Sequence, residues 1–250
     1  MSSFLSHRRK AFRGGVAFDG FGNASREFDG TGDLVSIGDV LESVFIGTGV
    51  SMTIAAWIKP DGTGDGEIIC SYSSGSNAQW IFRHLNSSSE IGVIVGNPTW
   101  NVRFGRQTST SGSVGSGVWT HVAFVYTQAD TGEHLKLYIN GTEYVEADTE
   151  LVDFASAGTF SSISNTNAPM WIGANQAASS VDFDGNLADV RIYDADIGST
   201  EVANLASGID YQTNLVGWWL DDDDDVLDNA GSNDGTNNGS TYDNTDAPNL

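Results

Sequence analysis

Glu146, Asp148 and Glu150 stand at alternate positions in Glu146-Ala147-Asp148-Thr149-Glu150. In an extended strand successive side chains point to opposite faces, so all three carboxylates would share one face. Carboxylates gathered this way could hydrolyse a glycosidic bond, one serving as acid and another as base or nucleophile. The same residues also suit a solvated acidic loop, because they follow directly on the Asn140-Gly141 hairpin signal. Other catalytic sets are not evident. His7, His84, His121 and His134 lack zinc-like spacing. A Gly-x-Ser-x-Gly elbow does not occur. The glycine-rich Gly112–Gly117 stretch leads into a strand rather than a helix, which argues against a phosphate cradle.

The elements that would position such residues are strands almost throughout. Short runs rich in β-branched and aromatic residues recur at Leu34–Ile37, Ser51–Lys59, Glu67–Tyr72, Gln79–Leu85, Glu90–Val95 and Trp100–Arg106. They continue at Trp119–Tyr126, Leu135–Ile139, Thr142–Glu146, Pro169–Ala174, Leu187–Tyr193 and Leu215–Leu220, separated by Gly, Asn, Ser and Asp clusters. This pattern predicts an all-β, antiparallel two-sheet sandwich, with one short helix at Ser199–Ala206 between Gly198 and Gly208. Thirty glycines against four prolines fit many tight turns. With 39% hydrophobic residues, 250 residues can bury one large core, so a single domain is expected over 16–220. A basic arm at 1–15 and an Asp/Asn/Gly-rich tail at 221–250 flank it, the tail with one docked segment near Tyr242.

Three segments carry a family resemblance: Phe28-Asp29-Gly30-Thr31-Gly32-Asp33-Leu34-Val35, Trp119-Thr120-His121-Val122-Ala123-Phe124, and Phe183-Asp184-Gly185-Asn186-Leu187-Ala188-Asp189-Val190-Arg191-Ile192-Tyr193-Asp194. In this order they resemble the laminin G-like, concanavalin A-like jelly roll. The last reads as a strand entered through an Asp184-Gly185 turn, one face packed and one face wet. A segment similar to one that this family often places before its first motif, Leu215 to Thr236, here follows the sandwich. Either the missing strand is supplied from the C-terminus, as in a circular permutation, or the segment starts an unfinished second unit; the first is the favoured expectation. The resemblance implies a structural Ca²⁺ at the sandwich rim, with Asp29, Asp33 and Asp189 at the matching positions. Asp29 and Asp184 also read simply as the first residues of Asp-Gly turns. Lectin-like members hold sugars on exposed aromatic rings, and Trp80 and Trp100, beside Ser/Asn-rich loops, are the platform candidates. The Glu146–Glu150 spacing resembles that of endoglycanases of the same superfamily, with apolar intervening residues replaced by Ala147 and Thr149. There Glu146, Asp148 and Glu150 would be nucleophile, helper and acid/base.

Net charge is −22, and four of the eleven basic residues (Arg8, Arg9, Lys10 and Arg13) fall in the first thirteen positions. So acidic a body repels nucleic acid and anionic membrane, and it suits either a salty environment or cation binding. The run Asp221–Asp225 with Asp228, Asn233 and Asp234 lacks calcium-loop spacing and reads as a solvated stretch. Cys70, the one cysteine, excludes an internal disulfide and fits a buried thiol. Neither a signal peptide nor a membrane-length apolar run is visible, so synthesis in the cytoplasm is expected. Ser3 to Arg13 resembles the opening of tailed-phage structural proteins. A basic arm on an acidic body suits docking onto a partner. The reading is a non-catalytic virion-surface module that docks on other virion proteins, is compatible with a homo-oligomer, and contacts cell-surface glycan. An endo-acting glycoside hydrolase and a soluble calcium-dependent lectin are the alternatives.

Overall fold

The computed structural model describes residues 24–248 apart from 46–48, 63, 75–76, 86–88, 98–99, 101–102, 109–112, 129–134, 145–150, 156–162, 164–165, 176–180 and 221–224. Its first strands are β1 (Ser25–Asp29), β2 (Leu34–Gly38), β3 (Ser51–Pro60), β4 (Gly66–Ser74), β5 (Asn77–Leu85) and β6 (Glu90–Gly96). Next come β7 (Arg103–Thr108), β8 (Thr120–Thr127), β9 (Leu135–Ile139), β10 (Thr142–Tyr144), β11 (Leu151–Ala155) and β12 (Met170–Ile172). The chain ends with β13 (Asp184–Tyr193), helix α1 (Gly198–Ala206), β14 (Leu215–Trp219), β15 (Thr236–Asn238) and β16 (Thr241–Asp243).

One sheet has the order β10-β9-β8-β3-β13-β1-β16, with β14 also paired to β13; the other runs β11-β7-β6-β5-β4-β12-β2-β15. Each pairing between these strands is antiparallel. The period of two sorts side chains between core and outer face. Met52, Ile54 and Ile58 of β3, Val122 and Phe124 of β8, Phe82 of β5 and Val93 of β6 meet in the core. There the Phe82 and Phe124 rings pack edge to face at 5.1 Å. The outer side of the first sheet is covered rather than wet. Val202 and Leu205 of α1 pack on Ala123, Val125, Tyr138 and Tyr193.

The tail is part of the sandwich, not an appendage. β15 pairs with β2 and β16 with β1, so consecutive short strands close one side of each sheet in turn. Short, polar end strands leave little backbone open to further pairing. Asp228, expected in a solvated run, is buried. Its carboxylate accepts from the backbone N–H of Trp218 (3.1 Å), Ala230 (3.0 Å) and Asn233 (3.1 Å), and from Asn233 Nδ2 (3.0 Å). Beyond β16, Asp246 accepts from Trp119 Nε1 at 2.8 Å, pairs with Lys59, and its carbonyl accepts from Ser25 Oγ at 2.7 Å.

Two further expectations change on β13. Gly185 does not lie in a turn. It is a strand residue at φ 131°, where a Cβ would sit 2.2 Å from the Lys59 carbonyl oxygen, so glycine lets β13 approach β3. Asp189 sits at φ 52° where the β13–β3 register shifts, and its N–H donates to Leu220 O at 2.8 Å. The bulge turns its carboxylate toward Arg191 Nε (2.7 Å) and Trp218 Nε1 (2.7 Å). Arg191 Nη1 reaches Asp210 Oδ1 at 2.5 Å, and its guanidinium lies 4.3 Å from the Trp218 ring centre. Asp189 is 4% and Arg191 2% exposed. Burial works against the Arg191 charge, but Asp189 and Asp210 outweigh it and hold the guanidinium above its ordinary pKa.

Replacing one member of this set strands the other. Arg191→Met should lower urea-unfolding stability by about 3–5 kcal/mol, while Arg191→Met with Asp189→Leu should recover most of that loss. Asp228→Ala, which removes one acceptor from four N–H groups, should cost about 3 kcal/mol in the same measurement. A loss under about 1 kcal/mol for either single variant would contradict the packing described.

Candidate functional site

Three loops bring five aspartates to one end of the sandwich. Asp29 ends β1 and Asp33 precedes β2; Asp61 follows β3; Asp182 and Asp184 lead into β13. Backbone hydrogen bonds tie the loops together. Gly32 N donates to Asp182 Oδ2 (2.8 Å), Asp29 N to Asp33 Oδ2 (3.1 Å), Thr31 N to Asp29 Oδ1 (2.8 Å) and Asp61 N to Asp184 O (2.9 Å). Gly117 N donates to Pro60 O at 2.7 Å and draws in the segment that ends at Val118, a 57% exposed apolar side chain.

Asp29 and Asp61 are exposed and the other three half-exposed. Partial burial raises the Asp33 pKa, with the charges of Asp29 and Asp182 adding to it. Burial also raises Asp184, reinforced by Asp61 and Asp29. Like charges therefore crowd the rim, and among the described residues no ion pair engages these five carboxylates. Chemically the rim is a set of fixed hydrogen-bond acceptors, with Gly117, the neighbour of exposed Val118, drawn toward Asp61.

The proposed calcium ligands divide. Asp29 and Asp33 meet at the rim, but Asp189 lies five residues along β13 from Asp184, about 15 Å away. There it pairs with Arg191 and not with Asp29 or Asp33. Among the described residues, no group of three Asp, Glu, His or Cys is placed to share a metal ion. Of the three, Asp29 and Asp33 are the pair that the fold brings together.

Nor do the tryptophans form platforms. Trp80 is 0% exposed, because its strand parity points it into the core, where it packs on Phe45 (5.7 Å) and Phe124 (6.4 Å). Trp100 is 7% exposed and lies over Gly96, where a Cβ would fall 2.0 Å from the indole. Tyr72 meets it edge-on at 5.9 Å and Arg103 stands 5.9 Å from its ring centre. Glu146, Asp148 and Glu150 lie outside the described residues, as do the arm and Asp221–Asp224.

Sequence reasoning missed Asp61 and Asp182 and treated Asp184 only as a turn residue. The signal that could have found them is an aspartate at the end of a strand whose neighbour loop also carries one, which becomes visible only with strand order in hand. It also missed Glu67 of β4, a buried carboxylic acid held by Asn175.

Comparison with known proteins places this geometry. Residues 29–203 match a laminin G family described as the concanavalin A-like lectin/glucanases superfamily. Among curated proteins none matches in sequence. In fold the chain is similar to a native heptameric SAP-like pentraxin from Limulus polyphemus, with TM-score 0.57 and 16% identity over 88% of this chain and 94% of that one. It is also similar to a candidate carbohydrate binding protein from Bacteroides ovatus, with TM-score 0.61 and 18% identity over 92% of this chain and 61% of that one. The NanB sialidase from Streptococcus pneumoniae gives TM-score 0.52 and 18% identity over 72% of this chain and 27% of that one. The identities are low and carry the fold alone, whereas the family match spans more than half of the sequence. The chain belongs to the concanavalin A-like lectin/glucanase superfamily, as a laminin G-like domain.

Proposed function

We propose that the protein is a non-catalytic glycan-binding module that receives sugar hydroxyls at the acidic rim and is displayed on a virion surface. The observation that carries glycan binding is the convergence of Asp29, Asp33, Asp61, Asp182 and Asp184 beside Val118. Ionised carboxylates are strong acceptors for hydroxyl donors, and an apolar side chain alongside suits the C–H face of a sugar. The carbohydrate-binding description of the Bacteroides ovatus neighbour supports the same reading. The virion setting rests on the likeness of residues 3–13 to phage structural proteins. Co-sedimentation of tagged protein with particles tests it, and free protein throughout the gradient would remove it.

Two alternatives part from this reading in simple assays. In an endoglycanase, Glu150→Gln would abolish polysaccharide cleavage; the proposal predicts no cleavage by either protein. In a calcium-dependent lectin, a chelator would release the glycan; direct binding by rim carboxylates predicts retention in its presence.

On a glycan array, Asp33→Asn and Asp184→Asn should each weaken the best wild-type ligand about tenfold, the effect of losing one charge-assisted hydrogen bond. Trp80→Ala should instead lower stability by about 3–5 kcal/mol, as truncation of a core indole does. Unchanged affinity in both aspartate variants would contradict the site.

A further inference from the structure

Glu67 is the second residue of β4, beside the rim, and is 4% exposed. Its Oε1 accepts a 2.6 Å hydrogen bond from Asn175 Nδ2, and its Oε2 is buried without a hydrogen-bond partner. The same short length of β4 holds both described ends of the return between β12 and β13. Glu67 N donates to Val181 O (2.9 Å), Gly173 N to Ile68 O (3.1 Å), and the Cys70 thiol to Ala174 O (3.7 Å). Phe183 N closes the return on Gly173 O at 2.7 Å. Just before Phe183 stands Asp182, the rim carboxylate that accepts from Gly32.

We propose that Glu67 is a proton-operated latch: protonated, it keeps the Gly173–Asn175 and Val181–Phe183 stretches seated on β4, and ionised, it loosens them and the rim they support. The geometry argues for the neutral form. A carboxylate oxygen sealed from water, with no N–H or O–H donor against it, is costly as an anion and tolerable as an acid. Burial is the largest influence on the group and raises its pKa to about 7. The groups facing it divide. Asn175 on the return, Cys70 on β4 and Arg83 on β5 favour the anion, and Asp182 on the return opposes it. Arg83 answers to Asp65 as well as to Glu67, so its charge is shared.

The folded protein therefore binds this proton more tightly than the unfolded chain, whose glutamate titrates near 4.5. The stabilisation is complete below about pH 4.5 and is lost as pH rises through about 7. This device stands whether or not the rim binds glycan, and its test uses no sugar.

In the wild-type protein, carboxyl-carbon NMR should show Glu67 titrating between pH 6 and 8, with a midpoint near 7 where an ordinary glutamate has one near 4.5. The amides of Asn175, Val181 and Asp182 should move with the same midpoint. From pH 5 to 8 the folding constant of the wild type should fall one to two orders of magnitude further than that of Glu67→Gln, roughly the loss expected from this shift. A Glu67 midpoint near 4.5, or a midpoint near 7 without movement of the three amides, would overturn the latch. Equal pH dependence of a folded Glu67→Gln variant would overturn it as well.

Discussion

Arg191 carries its charge to a place that water does not reach, and the covering layer of the first sheet is organised around that charge. Asp189 meets it from the bulge in its own strand, Asp210 from the segment after α1, and the Trp218 ring from β14. Each partner belongs to a different segment of the chain. A buried guanidinium tolerates no gap in that set, because an unmatched charge there is far more costly than a matched one gains. The ion pair thus fixes where β14 lies on β13, and β14 is where the tail begins.

From that anchor the rest of the sandwich closes. Asp228 gathers the backbone after β14, and β15 and β16 then pair with β2 and β1. Those are the strands on either side of the Asp29–Asp33 turn. The aspartate rim is therefore held by residues 25–38 and 236–243 together, and its loops are tied by backbone N–H donors. Folding alone gains nothing from crowding like charges there, and that is what supports the proposed binding site.

Much of the fold could be read from alternation. The runs at Ser51–Lys59, Gln79–Leu85, Glu90–Val95 and Trp119–Tyr126 are strands, and α1 lies within one residue of its expected start. Alternation says which residues share a face, but not which face is core or what covers the other. For that reason Trp80 read as a platform, although its parity with Phe82 sends it inward. For the same reason Asp189 and Arg191 read as a wet face, although Trp218 and the Asp210–Tyr211 segment lie over them. Asp228 looked like one more charge in an acidic run, because nothing local reveals that four N–H groups converge on it. The rim was half legible: Asp29 and Asp33 share one motif, while Asp61 and Asp182 join them only through strand order.

Amide chemical-shift mapping with the strongest array glycan tests the site most directly. The account predicts that perturbations cluster at Thr31, Gly32, Asp61, Gly62, Val118 and Asp182, with the β10 and α1 end of the first sheet unmoved. Perturbations centred on Tyr72, Trp100 and Trp171 on the outer side of the second sheet, with the rim amides still, would contradict it.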